Sequence, residues 1–102
     1  MGSQLAVSAG ASHVEWMAVS LGQVSANRFP AGLALPPHSH PEATIAVVLA
    51  GGFRGSYRDG ERDCAARSVI VEPAGERHAN RFGNGSSTVV TVSLDPERIG
   101  ST

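Results

Sequence analysis

Lysine is absent from this sequence, cysteine occurs once, and aromatic residues make up only 5% of 102 positions. Basic charge rests on arginine alone, and the chain carries a formal net charge of −1 with a sequence pI of about 6.4. A free-standing DNA-binding domain ordinarily shows a basic patch and a pI above ~9. The arginines here, Arg54, Arg58, Arg62 and Arg67 among them, form no run of one sign. This balance argues against nucleic acid as a partner of this chain alone. The single cysteine, Cys64, excludes an internal disulfide and fits a reducing, cytoplasmic setting. Its neighbourhood, RDCAARS, offers no Lys or His to activate the thiol, so a structural role is expected.

Long apolar runs are missing as well. The longest, TIAVVLA at 44–50, is far short of the ~18 residues of a membrane span and suits a buried strand. MGSQLAVSAG at the N-terminus has no basic segment and no continuous apolar core, which makes it a poor secretory signal. The NGS triplet at 84–86 therefore reads as a turn rather than a glycosylation site.

What remains is a chain with 41% apolar residues, punctuated at short intervals by twelve Gly and six Pro. That length supports one domain, residues 1–102, with one modest core. Short stretches rich in β-branched residues fall at 14–21, 23–29, 44–50, 53–58, 68–72 and 87–94. Many short strands at near-even spacing describe an all-β sandwich or small barrel. RDGE at 58–61 carries an Asp-Gly hairpin signal, and AGG at 50–52 offers a second tight turn. LDPERIG at 94–100 predicts one helical turn, with Asp95 as N-cap and Pro96 at the first helical position. His13 is expected on the surface. Trp16 and Met17 are expected to bury the first strand against a second subunit, because an exposed edge strand needs cover. A homodimer follows.

Histidine is where chemistry concentrates. PPHSHPEATIAVVLAGG at 36–52 places His38 and His40 two residues apart, and in extended backbone such residues share a face. Pro36 and Pro37 just before them favour extension. His78 follows Pro73 and Gly75 in VEPAGERHANRF at 71–82. All three histidines are expected at strand starts after Pro/Gly turns. Neutral imidazoles at this spacing suit a divalent transition metal, Zn, Fe, Ni, Cu or Mn. Equally, the three could line a pocket that holds no metal. Glu42 has the parity of His38 and His40 and is the candidate fourth ligand, although Pro41 intervenes. The ordinary fate of such an acid is a solvated loop edge. Thr44 is a candidate to hydrogen-bond a bound molecule, and Asn80, with the parity of His78, to orient a ligand.

These residues resemble the cupin pattern. Its first motif reads Gly, five residues, His-x-His, three or four residues, Glu, six residues, Gly; Gly32, His38, His40 and Gly51 match it. Its second reads Gly, five residues, Pro-x-Gly, two residues, His, three residues, Asn; Pro73, Gly75 and His78 match that. The motifs run over about 32–51 and 67–82. Departures fall at Thr44 (Ile45 in the longer spacing) where the glutamate belongs, at Arg67 in place of the opening glycine, and at Phe82 in place of the asparagine. Within the superfamily the stretch from Pro36 to Gly83 is similar to the N-terminal effector-binding domain of AraC-type transcription regulators, down to the Arg81–Phe82 pair. The resemblance implies a small jelly-roll β-barrel with a metal on His38, His40 and His78. It also implies a small-molecule ligand at the barrel mouth and an effector-sensing role. The alternative it leaves open is a metal-dependent enzyme of dioxygenase, isomerase or lyase type. No helix-turn-helix segment is legible, so the resemblance fits either a sensor domain or a stand-alone small cupin.

Overall fold

The computed structural model describes residues 22–97 in full and residues 12–19 as backbone. Nine strands follow one another: β1 (Ser12–Val19), β2 (Gly22–Phe29), β3 (Ala34–His38), β4 (Thr44–Ala50), β5 (Gly52–Tyr57), β6 (Gly60–Ala65), β7 (Val69–Glu72), β8 (His78–Phe82) and β9 (Ser87–Leu94). They form two antiparallel sheets, one ordered β1-β2-β9-β4-β7 and the other β3-β8-β5-β6. The all-β expectation holds.

Strand parity builds the core between the sheets. Along β4, Thr44, Ala46 and Val48 point inward and are buried, whereas Ile45 and Val47 lie on the outer face. The five-stranded sheet contributes Phe29, Val48, Ile70 and Val89 to the interior; the other contributes Leu35, Phe53, Cys64 and Phe82. Phe29 and Phe82 stack across the gap with ring centroids 4.4 Å apart, and Phe53 packs against Phe82 at 5.3 Å. Each such side chain stabilises the fold by roughly 1.5–3 kcal/mol through burial. This trio fixes the spacing of the sheets beneath the histidines.

The turns follow the sequence signals. Gly51 joins β4 to β5 at φ 76, and a Cβ there would lie 2.4 Å from the Ser87 hydroxyl. That hydroxyl accepts from the Gly52 amide at 2.9 Å and donates to the Gly52 carbonyl at 3.1 Å, so the glycine lets the turn close on β9. The β5–β6 hairpin forms as expected, with Arg58 and Asp59 at its tip and Gly60 at φ 127. Residues 84–86 connect β8 to β9. Asp95 caps the turn that follows β9, accepting from the Glu97 amide at 3.0 Å. The side chains of His13, Trp16 and Met17 lie outside the described residues.

One placement differs from expectation. Of the three clustered histidines only His78 opens a strand; His38 closes β3, and His40 lies in the β3–β4 connection. The proline-containing ALPPH segment reaches only as far as His38 before Pro41 turns the chain.

Candidate metal centre

Each histidine arrives by a different local device. His38 and His78 face each other directly as partners in the β3–β8 ladder. His40 is carried by a loop, and that loop is tied to motif two: the Gly75 amide donates to the His40 carbonyl at 2.8 Å. Gly75 can do so because it stands third in the Pro73–Glu76 turn with φ 76, a conformation that favours glycine. The Pro-x-Gly turn thus positions His78 and also holds the backbone of His40.

The three rings converge, with centroids 4.4 Å apart for His38 and His78, 5.0 Å for His40 and His78, and 5.2 Å for His38 and His40. Their nearest ligand atoms all lie within 4.8 Å of one another. Tautomers are set from behind. Nδ1 of His38 donates to the Pro36 carbonyl at 2.7 Å, and Nδ1 of His78 to the Glu76 carbonyl at 3.1 Å. A carbonyl only accepts, so each ring in its neutral form keeps the Nε2 lone pair for the site. His40 is buried, and its Nδ1 has no hydrogen-bond partner. Burial first, then the neighbouring His78 and His38, hold the His40 pKa down to about 4. Burial likewise lowers His38. Both rings are therefore neutral at pH 7, the form that ligates metal. An orphaned buried nitrogen beside two pre-set lone pairs fits a divalent transition metal.

Glu72 is the residue that the sequence reading missed. At the end of β7 it is buried, with Oε1 accepting from the Thr44 hydroxyl at 2.7 Å and Oε2 lying 3.6 Å from Nε2 of His78. Its signal was parity: Glu72 shares the face of buried Ile70, and an acid at an inward strand position is rare. Glu42, the candidate fourth ligand, occupies the bend before β4, and the convergent group does not include it. Thr44 is buried behind Glu72 and is not among the residues that line the cavity; its hydroxyl is spent on Glu72. Asn80 lines the same cavity as His38, His40, Glu72 and His78. Tyr57 stacks against His78 at 6.2 Å, covered by the Arg62 guanidinium at 4.7 Å. Beside it Cys64 is buried, with Sγ 3.8 Å from the Tyr57 hydroxyl, and burial pushes its thiol pKa up. This is an unreactive thiol, as expected.

The cavity over the histidines has room of about 40 Å³, with Phe29, Phe53 and Phe82 as its apolar floor. Ligand pockets for drug-sized molecules run to ~300–1,000 Å³, whereas about 10–15 Å³ of such space is enough to hold one water. An ion with a water fits, as does the polar tip of a small molecule.

No protein-family model matches this sequence, and no curated protein matches it. Solved structures do. A cupin superfamily protein from Desulfitobacterium hafniense superposes with a TM-score of 0.72 at 20% identity, over 82% of this chain and 76% of that one. KdgF from a Halomonas species gives 0.70 at 19% identity, over 87% and 81%. The DMSP lyase DddQ from Ruegeria pomeroyi gives 0.70 at 23% identity, over 76% of this chain but only 40% of the lyase. The chain thus spans less than half of the lyase. The two-sheet barrel that carries the three histidines has the cupin jelly-roll fold.

Proposed function

We propose that this chain is a metal-dependent small-molecule-binding domain, in which His38, His40 and His78 hold a divalent transition metal and a small organic molecule is taken up against it. The effector-sensing role rests on the resemblance of the Pro36–Gly83 stretch to AraC-type sensor domains. The observation that carries the metal reading is the convergence of three imidazoles whose nitrogens are either pre-set as lone pairs or left without a protein partner. When bound, such a metal supplies Lewis acidity or, for a redox-active ion, electron transfer. The chain's own part is to hold His40 and His38 neutral, to exclude bulk water with the phenylalanine floor, and to limit the ligand to what the narrow cavity admits.

A second reading, a metal-dependent enzyme of dioxygenase, isomerase or lyase type, is favoured by Glu72. A buried carboxylate beside the donors is placed to accept a proton from a bound molecule. The two readings separate by whether a bound molecule is released intact or altered. Both take the outer face of the five-stranded sheet as the contact of a homodimer.

The first test is elemental analysis of protein purified without chelator. We expect about one equivalent of a first-row transition metal per chain, retained through gel filtration and lost in His40→Ala and His78→Ala. Metal-free protein whose thermal stability ignores added Zn2+, Mn2+, Fe2+, Ni2+ and Cu2+ would overturn the proposal.

A further inference from the structure

The convergent group contains three imidazoles and no anion. Neutral imidazoles leave the full charge of a divalent ion uncompensated, and a buried cation is costly unless a negative group lies close. In the family pattern that group is the glutamate of motif one, which is Thr44 here. The register of the five-stranded sheet shows what stands opposite: Thr44 on β4 pairs directly with Glu72 on β7. Side chains of directly opposed residues share a face, so Glu72 reaches the same region of the barrel from the neighbouring strand.

Three details single this carboxylate out. Glu72 is 8% exposed and is the only buried acid among the described residues. No arginine compensates it: the described ion pairs take Arg54 to Glu61 and Asp63, and Arg62 to Asp59. Its second oxygen lies 3.6 Å from His78 Nε2, and Glu72 lines the same cavity as the three imidazoles.

We infer that Glu72, anchored by Thr44, is the anionic group of the metal centre, supplying from β7 the charge that motif one lacks on β4. Thr44 is then a positioning residue, since its hydroxyl holds one carboxylate oxygen and leaves the other turned toward His78. This inference rests on the metal reading of the three histidines.

Zn2+ affinity of the whole chain, measured by competition with a chromophoric chelator, tests it, with Co2+ absorption as a second readout. Glu72→Gln keeps the shape and an acceptor for Thr44 while removing the charge. It should weaken Zn2+ binding by about 10–100-fold, the usual effect of losing a group that supports metal ligands. It should also alter the Co2+ spectrum. Glu72→Asp, which restores the charge, should bind more tightly than Glu72→Gln, and Thr44→Val should show a smaller loss. Glu42→Gln should bind like the natural chain. A merely structural Glu72 would shift the melting temperature of the metal-free Gln variant and leave affinity unchanged, which overturns the inference. So does a larger loss in Glu42→Gln. If Glu72→Gln does not fold, the comparison of Thr44→Val and Glu72→Asp with Glu42→Gln decides by the same criterion. Unchanged affinity in Glu72→Gln alongside lost binding in His78→Ala sinks only this inference. A natural chain that binds no metal sinks the metal reading with it.

Discussion

His40 is the residue on which the site's response to pH turns. Its folded pKa of about 4 lies below the ordinary 6.5, because burial and the two neighbouring imidazoles disfavour its charge. As pH falls, the unfolded chain takes up this proton first, so the folded state loses stability from about pH 6.5 down to about 4. Above that window the group is neutral in both states and contributes no slope. His38, lowered in the same sense, adds to the trend. Metal-stripped protein should therefore melt progressively lower between pH 7.5 and pH 5, and His40→Gln should flatten part of that slope. An equally steep slope in the variant would show that His40 does not carry it. At this scale the sequence was informative about residue type and spacing, and the cluster of His38, His40 and His78 was legible from two motifs. Glu72 was not legible, because its importance comes from pairing with Thr44, 28 residues away, and cross-strand register is invisible until strands are paired.

Elements tell a similar story, and Arg67 shows it best. The residue stands third in the turn from Ala65 to Ser68, closed by the Ser68 amide donating to the Ala65 carbonyl at 3.0 Å, and its φ is 77. The glycine that the cupin pattern has at this position thus has a backbone reason, and here an arginine adopts the left-handed conformation instead. For a residue with a Cβ that conformation costs roughly 1–2 kcal/mol, offset by the extra freedom, roughly 0.5–1 kcal/mol, that glycine forfeits on folding. Arg67→Gly should accordingly stabilise the protein by about 0.5–1 kcal/mol, a rise in Tm of roughly 2–8 °C. Arg67→Ala keeps the strain and should show no such gain, so equal melting of the two variants would count against the backbone explanation. The turn was visible in the sequence only as a mismatch to a pattern. Strands divided in the same way: β4 and β9 are legible because β-branched residues fill both faces, whereas β3 and β6 are not. Those two lie at the edges of their sheet, where prolines and exposed charges are tolerated, and β6 buries a single side chain, Cys64.

For the whole molecule, the five-stranded sheet has two faces of different meaning. Its inner face carries the core and the site. The register places Val71, Ile45, Val92 and Val24 in one row across the outer face, and Val69, Val47, Val90 and Ala26 in the next. From β7 to β2 neither row contains a charged residue, although Glu15 on β1 pairs with Ala26 beyond the second, and Val69, Val71 and Leu49 are 62%, 65% and 57% exposed. A patch of this kind on β7 and β4 is larger than isolated apolar exposure needs, and contiguous apolar surface of that sort marks an interface. An apolar patch of this kind can pair with its own copy, which favours a two-fold dimer with the histidine sites on the far side of each sheet. The sequence anticipated a dimer from Trp16 and Met17, whereas the described surface places the argument on β4, β7 and β9. Light scattering after gel filtration should give twice the chain mass. Val69→Lys with Val71→Lys should convert the protein to a monomer that still binds metal, since neither side chain points into the barrel. A monomeric natural chain, or a double variant that remains dimeric, would show that this face is not the contact.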